Sequence, residues 1–190
     1  MHSVVIFGPP GSGKGTQCTK IKEKFNYEHI STGDLLREEI KGQTKLGMDA
    51  KGFMDRGELV PDSVIMGMID EKVKTLQGKG VLFDGIPRTV AQSEELDRIL
   101  RGHNRQVNAV ICLNVEESEL IRRLLERGKV SGRSDDLQES TIRTRLSEYH
   151  SKTKSVADFY SNSDRRVCEV DGQQSIDSVG GAISEILTGL

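Results

Sequence analysis

One stretch restricts the fold more than any other: the apolar run Val4-Val5-Ile6-Phe7 breaks into Gly8-Pro9-Pro10-Gly11-Ser12-Gly13-Lys14-Gly15-Thr16. The run is β-branched and nearly uninterrupted, the pattern of a strand covered on both faces of a parallel sheet. Glycines at 8, 11, 13 and 15 let the backbone curl with its N–H groups inward. The amphipathic helix predicted over Gln17 to Phe25 adds its positive N-terminus, so loop and helix form an anion cradle. Gly8 to Lys14 satisfies G-x-x-x-x-G-K, which places Lys14 to reach the β- and γ-phosphates of a nucleoside triphosphate. The regular pattern continues with Ser or Thr; here Gly15 follows and the hydroxyl arrives one place late, on Thr16. The usual direct ligand for Mg²⁺ is therefore out of register. A glycine-rich hairpin turn is the competing reading, and strand, loop and helix in the required order argue against it.

At 190 residues and 35% hydrophobic content the chain is long enough for one domain with a full core. A formal net charge of −2 gives no general attraction for nucleic acid or for an anionic membrane. Phosphate must be gripped by a local cluster, and 27 Lys and Arg suffice to build one. Cys18, Cys112 and Cys168 are scattered, with no C-x-x-C and no nearby His pair, so they read as reduced thiols, without a zinc site. A first strand from Ser3 leaves no room for a leader peptide, and no apolar run approaches the ~20 residues that span a bilayer. The expectation is a cytoplasmic protein.

Strand-like runs recur at Val4 to Phe7, His29 to Ser31, Val81 to Phe83, Val107 to Asn114 and Arg166 to Val170, each followed by a helical pattern. The alternation predicts an α/β fold with a doubly wound five-stranded parallel sheet flanked by helices. Between the second and third strands, helices are predicted at Asp34 to Lys41, Lys45 to Arg56 and Asp62 to about Thr75, a helical subdomain over the sheet edge. Arg127 to Gln138 is polar, charged and glycine-broken, which reads as a mobile flap rather than a plain solvated loop.

A second motif says what happens to the triphosphate. Val81-Leu82-Phe83-Asp84-Gly85-Ile86-Pro87-Arg88 sets an acid at the C-terminal end of a buried strand, where open α/β sheets bind ligands. Asp84 can hold Mg²⁺ through its water shell and Arg88 can grip a phosphate bidentately. In Ser31-Thr32-Gly33-Asp34-Leu35-Leu36-Arg37, Asp34 suits a helix N-cap and Arg37, one turn on, faces the sheet crevice.

With these motifs the chain resembles the nucleoside monophosphate kinases, and among them the short-lid adenylate kinases. The likeness runs over essentially the whole length. Its most specific part is Asp84-Gly85-Ile86-Pro87-Arg88-Thr89-Val90-Ala91-Gln92, which matches the family signature D-G-[FYI]-P-R-x-x-x-[NQ]. Gly-Pro-Pro-Gly-Ser-Gly-Lys-Gly-Thr is also the family's form of the phosphate loop.

The resemblance implies a single kinase domain with a P-loop NTPase-type core (1–30, 61–126 and 139–190), an NMP-binding subdomain (31–60) and a short lid (127–138). It implies a Mg²⁺-dependent, reversible transfer from ATP to AMP giving two ADP, by a monomer without zinc. ATP is expected on Gly11, Ser12, Gly13, Lys14, Gly15 and Thr16, with Arg123, Arg127 and Gln174 around it. AMP is expected against Thr32, Arg37, Glu58, Leu59, Val60, Gly85, Ile86, Pro87, Arg88 and Gln92. Thr32 and Gln92 favour adenine, since pyrimidine kinases tend to carry Ala and Asn there. Lys14, Arg88, Arg127, Arg133 and Arg145 are expected to serve the transfer, with Asp84 on the Mg²⁺ water shell. Arg133 and Arg145 also reach the AMP side, and Asp135 and Asp136 pair with the lid arginines. Arg145 is preferred to Arg143 because Arg-Leu-x-x-Tyr keeps the family's register. A UMP/CMP kinase is the nearest alternative. A nucleotide sensor without turnover is the other, and it has no need for so many arginines.

Overall fold

The computed structural model describes residues 2–76, 78–163 and 165–190. Five strands, β1 (Ser3–Phe7), β2 (Glu28–Ser31), β3 (Val81–Asp84), β4 (Val107–Asn114) and β5 (Arg166–Asp171), form one parallel sheet in the order β2-β3-β1-β4-β5. The predicted fold class holds. Because side chains alternate along a strand, the sheet divides its apolar residues between two faces. Val4, Ile6, Leu82, Ala109, Ile111 and Leu113 pack with Cys18 and Ile21 of α1 (Lys14–Phe25) and with Val179, Ile183 and Leu187 of α9 (Ile176–Thr188). Val5, Phe7, Val81, Phe83, Val110 and Cys112 face α4 (Asp62–Lys74), α5 (Val90–Gly102) and α8 (Lys154–Ser161). β1 is central, with β3 and β4 on either side. The chain leaves β1 into the phosphate loop at this switch of winding direction, where crevices open at the C-terminal strand ends.

Helices α2 (Thr32–Lys41) and α3 (Lys45–Arg56) follow the edge strand β2, as the long insertion predicts. The cap of α2 differs from expectation. Ser31 is the N-cap, its Oγ accepting from the Asp34 amide, and Asp34 stands in the first turn. Both residues suit a cap; Ser31 has the extended backbone the position needs. α1 likewise starts at Lys14, three residues before the predicted start.

The flap also differs. Helix α6 (Glu117–Ser131) runs through Gly128 and ends where Gly132 takes a left-handed φ of 64°. A single 3₁₀ turn (Ser134–Asp136) then leads to α7 (Glu139–Glu148). Five residues of the expected flap are therefore helical. Gly128 is a point of close approach rather than a helix breaker: a Cβ there would lie 2.5 Å from the Asp136 carbonyl oxygen. Gly128→Ala is expected to push the 3₁₀ turn off α6 and to cost stability of the order of 1–3 kcal/mol, read as a lowered Tm. An unchanged Tm would mean that the two backbones separate freely. α7 passes through a π turn (Tyr149–Thr153) into α8, and Tyr149 and Thr153 of that turn line a cleft.

Candidate active site

The loop between β1 and α1 is shaped by its glycines, with φ of 85° at Gly11 and 97° at Gly13, values that exclude most side chains. Gly13 is the N-cap of α1 and contributes no side-chain cap, so the first N–H groups of the helix remain available to an anion. Lys14 Nζ donates to the carbonyls of Gly8 (2.8 Å) and Pro9 (3.0 Å). Burial pushes its ammonium down to about 8, with Asp84 pulling the other way; an arriving phosphate would strengthen the charged form.

Two clefts open along this loop. The first lies beneath α3 and is lined by Thr32, Glu58, Leu59, Val60, Gln92 and Tyr149 among others. The second runs along Gly11 to Thr16 past Arg123, Arg127, Arg133 and Gln174. They share one wall, and that wall carries four cations: Lys14, Arg37, Arg88 and Arg145. Among the described residues, Lys14 and Arg88 have no carboxylate within ion-pair distance. Arg88 is held by Nε donating to the Gly85 carbonyl at 2.8 Å. Burial and the neighbouring Arg145 both lower its affinity for its proton. So much positive charge in one place calls for an anion.

The remaining arginines are posed by acids. Arg127 Nε and Nη2 donate to the two Asp136 oxygens at 2.6 and 3.0 Å. Arg145 Nη1 lies 2.5 Å from Asp136 and 2.9 Å from Asp135. Asp34 binds Arg37 at 2.5 Å and meets Arg133 at 3.5 Å. Arg143 pairs with Glu139 and Glu117 on an exposed face, whereas Arg145 reaches both clefts. Arg123 is pinned by Glu119 and by the Gly172 carbonyl, and Gln174 bonds Asp171 at the mouth of the second cleft. Asp84 sits at the end of β3 beside β1, in register with Ile6. Burial pushes its carboxyl up, but His29, Lys14 and Arg88 outweigh that and hold it below its ordinary value. An ionised oxygen donor in the second cleft fits a hydrated Mg²⁺.

In the first cleft Thr32 donates its hydroxyl to the Gly85 carbonyl at 3.0 Å. Gln92 is held more tightly than its sequence position suggests. Its amide oxygen accepts from the Arg88 N–H at 2.7 Å and its nitrogen donates to Asp62 at 2.7 Å. Thr89 caps α5 by accepting from the Gln92 amide and also donates to Asp62 at 3.1 Å. One N–H and one oxygen lone pair of Gln92 are left over. Sequence reading missed Asp62, although the T-x-x-Q spacing of a capping box at Thr89 and Gln92 signals a fixed amide.

A family profile described as adenylate kinase matches residues 6–165. The adenylate kinase of Flavobacterium psychrophilum is 46% identical over 191 residues, covering all of both chains. That of Parabacteroides distasonis is 47% identical across 97% of each chain. That of Phocaeicola vulgatus is 50% identical across 85% of this chain and 86% of its own.

Proposed function

Because the chain belongs to the adenylate kinase family and so moves a phosphoryl group between ATP and AMP, we propose the following division of labour among its residues. The donor triphosphate lies on Gly11 to Thr16 with Lys14 against its outer phosphates, and its adenine lies by Arg123 and Gln174. AMP enters the first cleft, its base against Thr32, Gln92 and the backbone of Glu58, Leu59 and Val60. Gly85, Ile86 and Pro87 form the floor, and Arg37 and Arg88 take its phosphate. Arg127, Arg133 and Arg145 close on the transferring group from the lid side. The shared wall of Lys14, Arg37, Arg88 and Arg145 carries this reading, since it is where two phosphates approaching from opposite clefts meet. Phosphoryl transfer needs position and positive charge more than a base, because the attacking phosphate is already ionised.

Mg²⁺ bound with ATP would offset the charge of its phosphates, and Asp84 is the residue that would face its water shell. The stretch 127–138 holds neither Cys nor His, which supports a lid without zinc. Residues 31–60 act as the acceptor subdomain and 127–138 as the lid, with core segments 1–30, 61–126 and 139–190. The kinase works as a cytoplasmic monomer; among the described residues no helix is long and apolar enough to cross a membrane.

ADP formation from MgATP, with AMP, CMP, UMP, GMP or no acceptor in parallel, tests the assignment. Strong activity is expected with AMP alone. Comparable rates with CMP or UMP would remove the base-reading roles of Thr32 and Gln92.

Asp62 gives a finer test. With its amide fixed, Gln92 offers adenine a donor for N1 and an acceptor for N6. Hypoxanthine presents the reverse pattern, N1–H and O6. Asp62→Ala removes one of the two hydrogen bonds that orient the amide and leaves the Arg88 N–H, so the preference for AMP over IMP should fall by up to about tenfold, the worth of roughly one hydrogen bond, with KM for ATP unchanged. An unchanged AMP-to-IMP ratio would show that Asp62 does not orient Gln92.

A further inference from the structure

The sheet brings together three side chains that lie far apart in the sequence. β2 and β3 pair with His29 opposite Leu82 and Ser31 opposite Asp84. By the two-residue alternation of strands, His29, Leu82 and Asp84 then point to one face, the face that α1 covers. Cys18 lies on α1 one turn beyond Lys14, completely buried and packed in the same cluster as Leu82. The result is that one ligating atom each of Cys18, His29 and Asp84 lie within 4.8 Å of one another. His29 Nε2 is sealed from solvent and has no hydrogen-bond partner; it stops 3.5 Å from Asp84 Oδ2. This ring nitrogen makes no hydrogen bond and faces the carboxylate at ion-pair distance.

We propose that Cys18 Sγ, His29 Nε2 and an Asp84 oxygen form an inhibitory binding site for a borderline-soft divalent cation of the Zn²⁺ class. Donors around tetrahedral zinc stand roughly 3.5 Å apart, so small side-chain rotations bring these three onto one ion. The donor set of one sulfur, one nitrogen and one oxygen suits Zn²⁺, Co²⁺ or Cd²⁺ and is poor for Mg²⁺. Binding exchanges the thiol proton for the ion: Cys–SH and M²⁺ give the metal thiolate and one proton released to solvent, with no change of oxidation state. His29 and Asp84 both line the donor cleft. Gly15 keeps the approach open, since even an added Cβ there would stand 4.0 Å from Asp84 Oδ2. The fourth coordination position therefore faces the cleft and takes water or a phosphate oxygen.

The site itself does not depend on the proposed division of labour, but its effect does. An ion held by Asp84 removes that carboxylate from the Mg²⁺ water shell, so inhibition should be competitive with MgATP.

The experiment titrates the purified full chain, free of nucleotide and chelator, with Co²⁺ and then with Zn²⁺. One equivalent of Co²⁺ should produce a thiolate-to-cobalt charge-transfer band, which Zn²⁺ abolishes. Cys18→Ala should lose the band and weaken Zn²⁺ binding by more than about a hundredfold, beyond what loss of an outer partner costs, while turning over MgATP and AMP normally without zinc. His29→Asn, which keeps the thiol, should weaken binding by at least about tenfold and covers the case in which the Cys18 variant folds poorly. A band that survives Cys18→Ala, or zinc binding indifferent to both variants, would overturn the site. Cys18-dependent binding without inhibition would instead leave the site standing and remove Asp84 from the Mg²⁺ role.

Discussion

Replacing Arg88 with Ala should lower kcat/KM for phosphoryl transfer by about 10²–10³, the loss seen when one positioned donor to a developing charge is removed. The affinity for ATP should stay within a few fold. The asymmetry follows from where Arg88 stands. Its Nε is committed to the Gly85 carbonyl, which leaves the Nη groups to face the wall shared by the two clefts. With no carboxylate within ion-pair distance among the described residues, its charge is available to phosphate. The phosphate loop, by contrast, holds its shape through Lys14 and the Gly8 and Pro9 carbonyls, and among the described residues none of these hydrogen-bonds Arg88. Initial rates together with an equilibrium titration of ATP separate the two quantities. An equal loss in both would move Arg88 to the donor side. Arg88→Lys should recover only part of the rate, because an ammonium cannot replace the two-pronged contact.

How much of this was legible in the chain depends on how local each signal is. β1, β3 and β4 were readable because a strand buried on both faces must be apolar along its length, the half-exposed edge strands β2 and β5 from their place in the alternation with helices, and the phosphate loop because its glycines and lysine fall in one contiguous stretch. The Asp84 to Gln92 signature is likewise contiguous. Interactions made by residues distant in sequence were not legible. Cys18 read as a reduced, scattered thiol; His29 and Asp84 are 11 and 66 positions away and meet it only through the register of β2 with β3 and the packing of α1 on that face. Asp62 was invisible because its task is to hold a side chain from another helix. The helical start of the flap was not legible for a different reason. Gly128 weakens a helix by propensity, but tertiary packing overrides propensity, and here the missing side chain lets the Asp136 backbone approach. The reading of Asp135 and Asp136 as partners of the arginines was closer, since opposite charges crowded into one short polar segment have few other ways to be buried.

That pairing yields the second large effect. Asp136 is wholly buried and holds two guanidiniums at once, Arg127 through both oxygens and Arg145 through one. Asp136→Ala strips Arg127 of its carboxylate partner and leaves Arg145 only Asp135, with Arg88 and Arg133 close by. Breaking a buried pair costs about 3–5 kcal/mol; the lower end applies here, because Arg127 is more than a third exposed and can turn to water. Stability should fall accordingly, and kcat should fall by about a hundredfold as Arg127 loses its aim and Arg145 keeps one of its two carboxylates. Burial raises the Asp136 carboxyl, but Arg127 and Arg145 outweigh it and hold it below its ordinary value. A depressed carboxylate contributes stability that is complete above its unfolded pKa, near 4, and is lost as pH falls through the lower folded value. The Tm gap between the native chain and Asp136→Asn should therefore be full at neutral pH and narrow below about pH 4. Calorimetry across that range, with steady-state rates at neutral pH, distinguishes two roles for one carboxylate. A lowered Tm with kcat intact would make Asp136 a strut that holds the lid together. A fall in both means that the charge which fastens the lid also aims the arginines at the phosphoryl group.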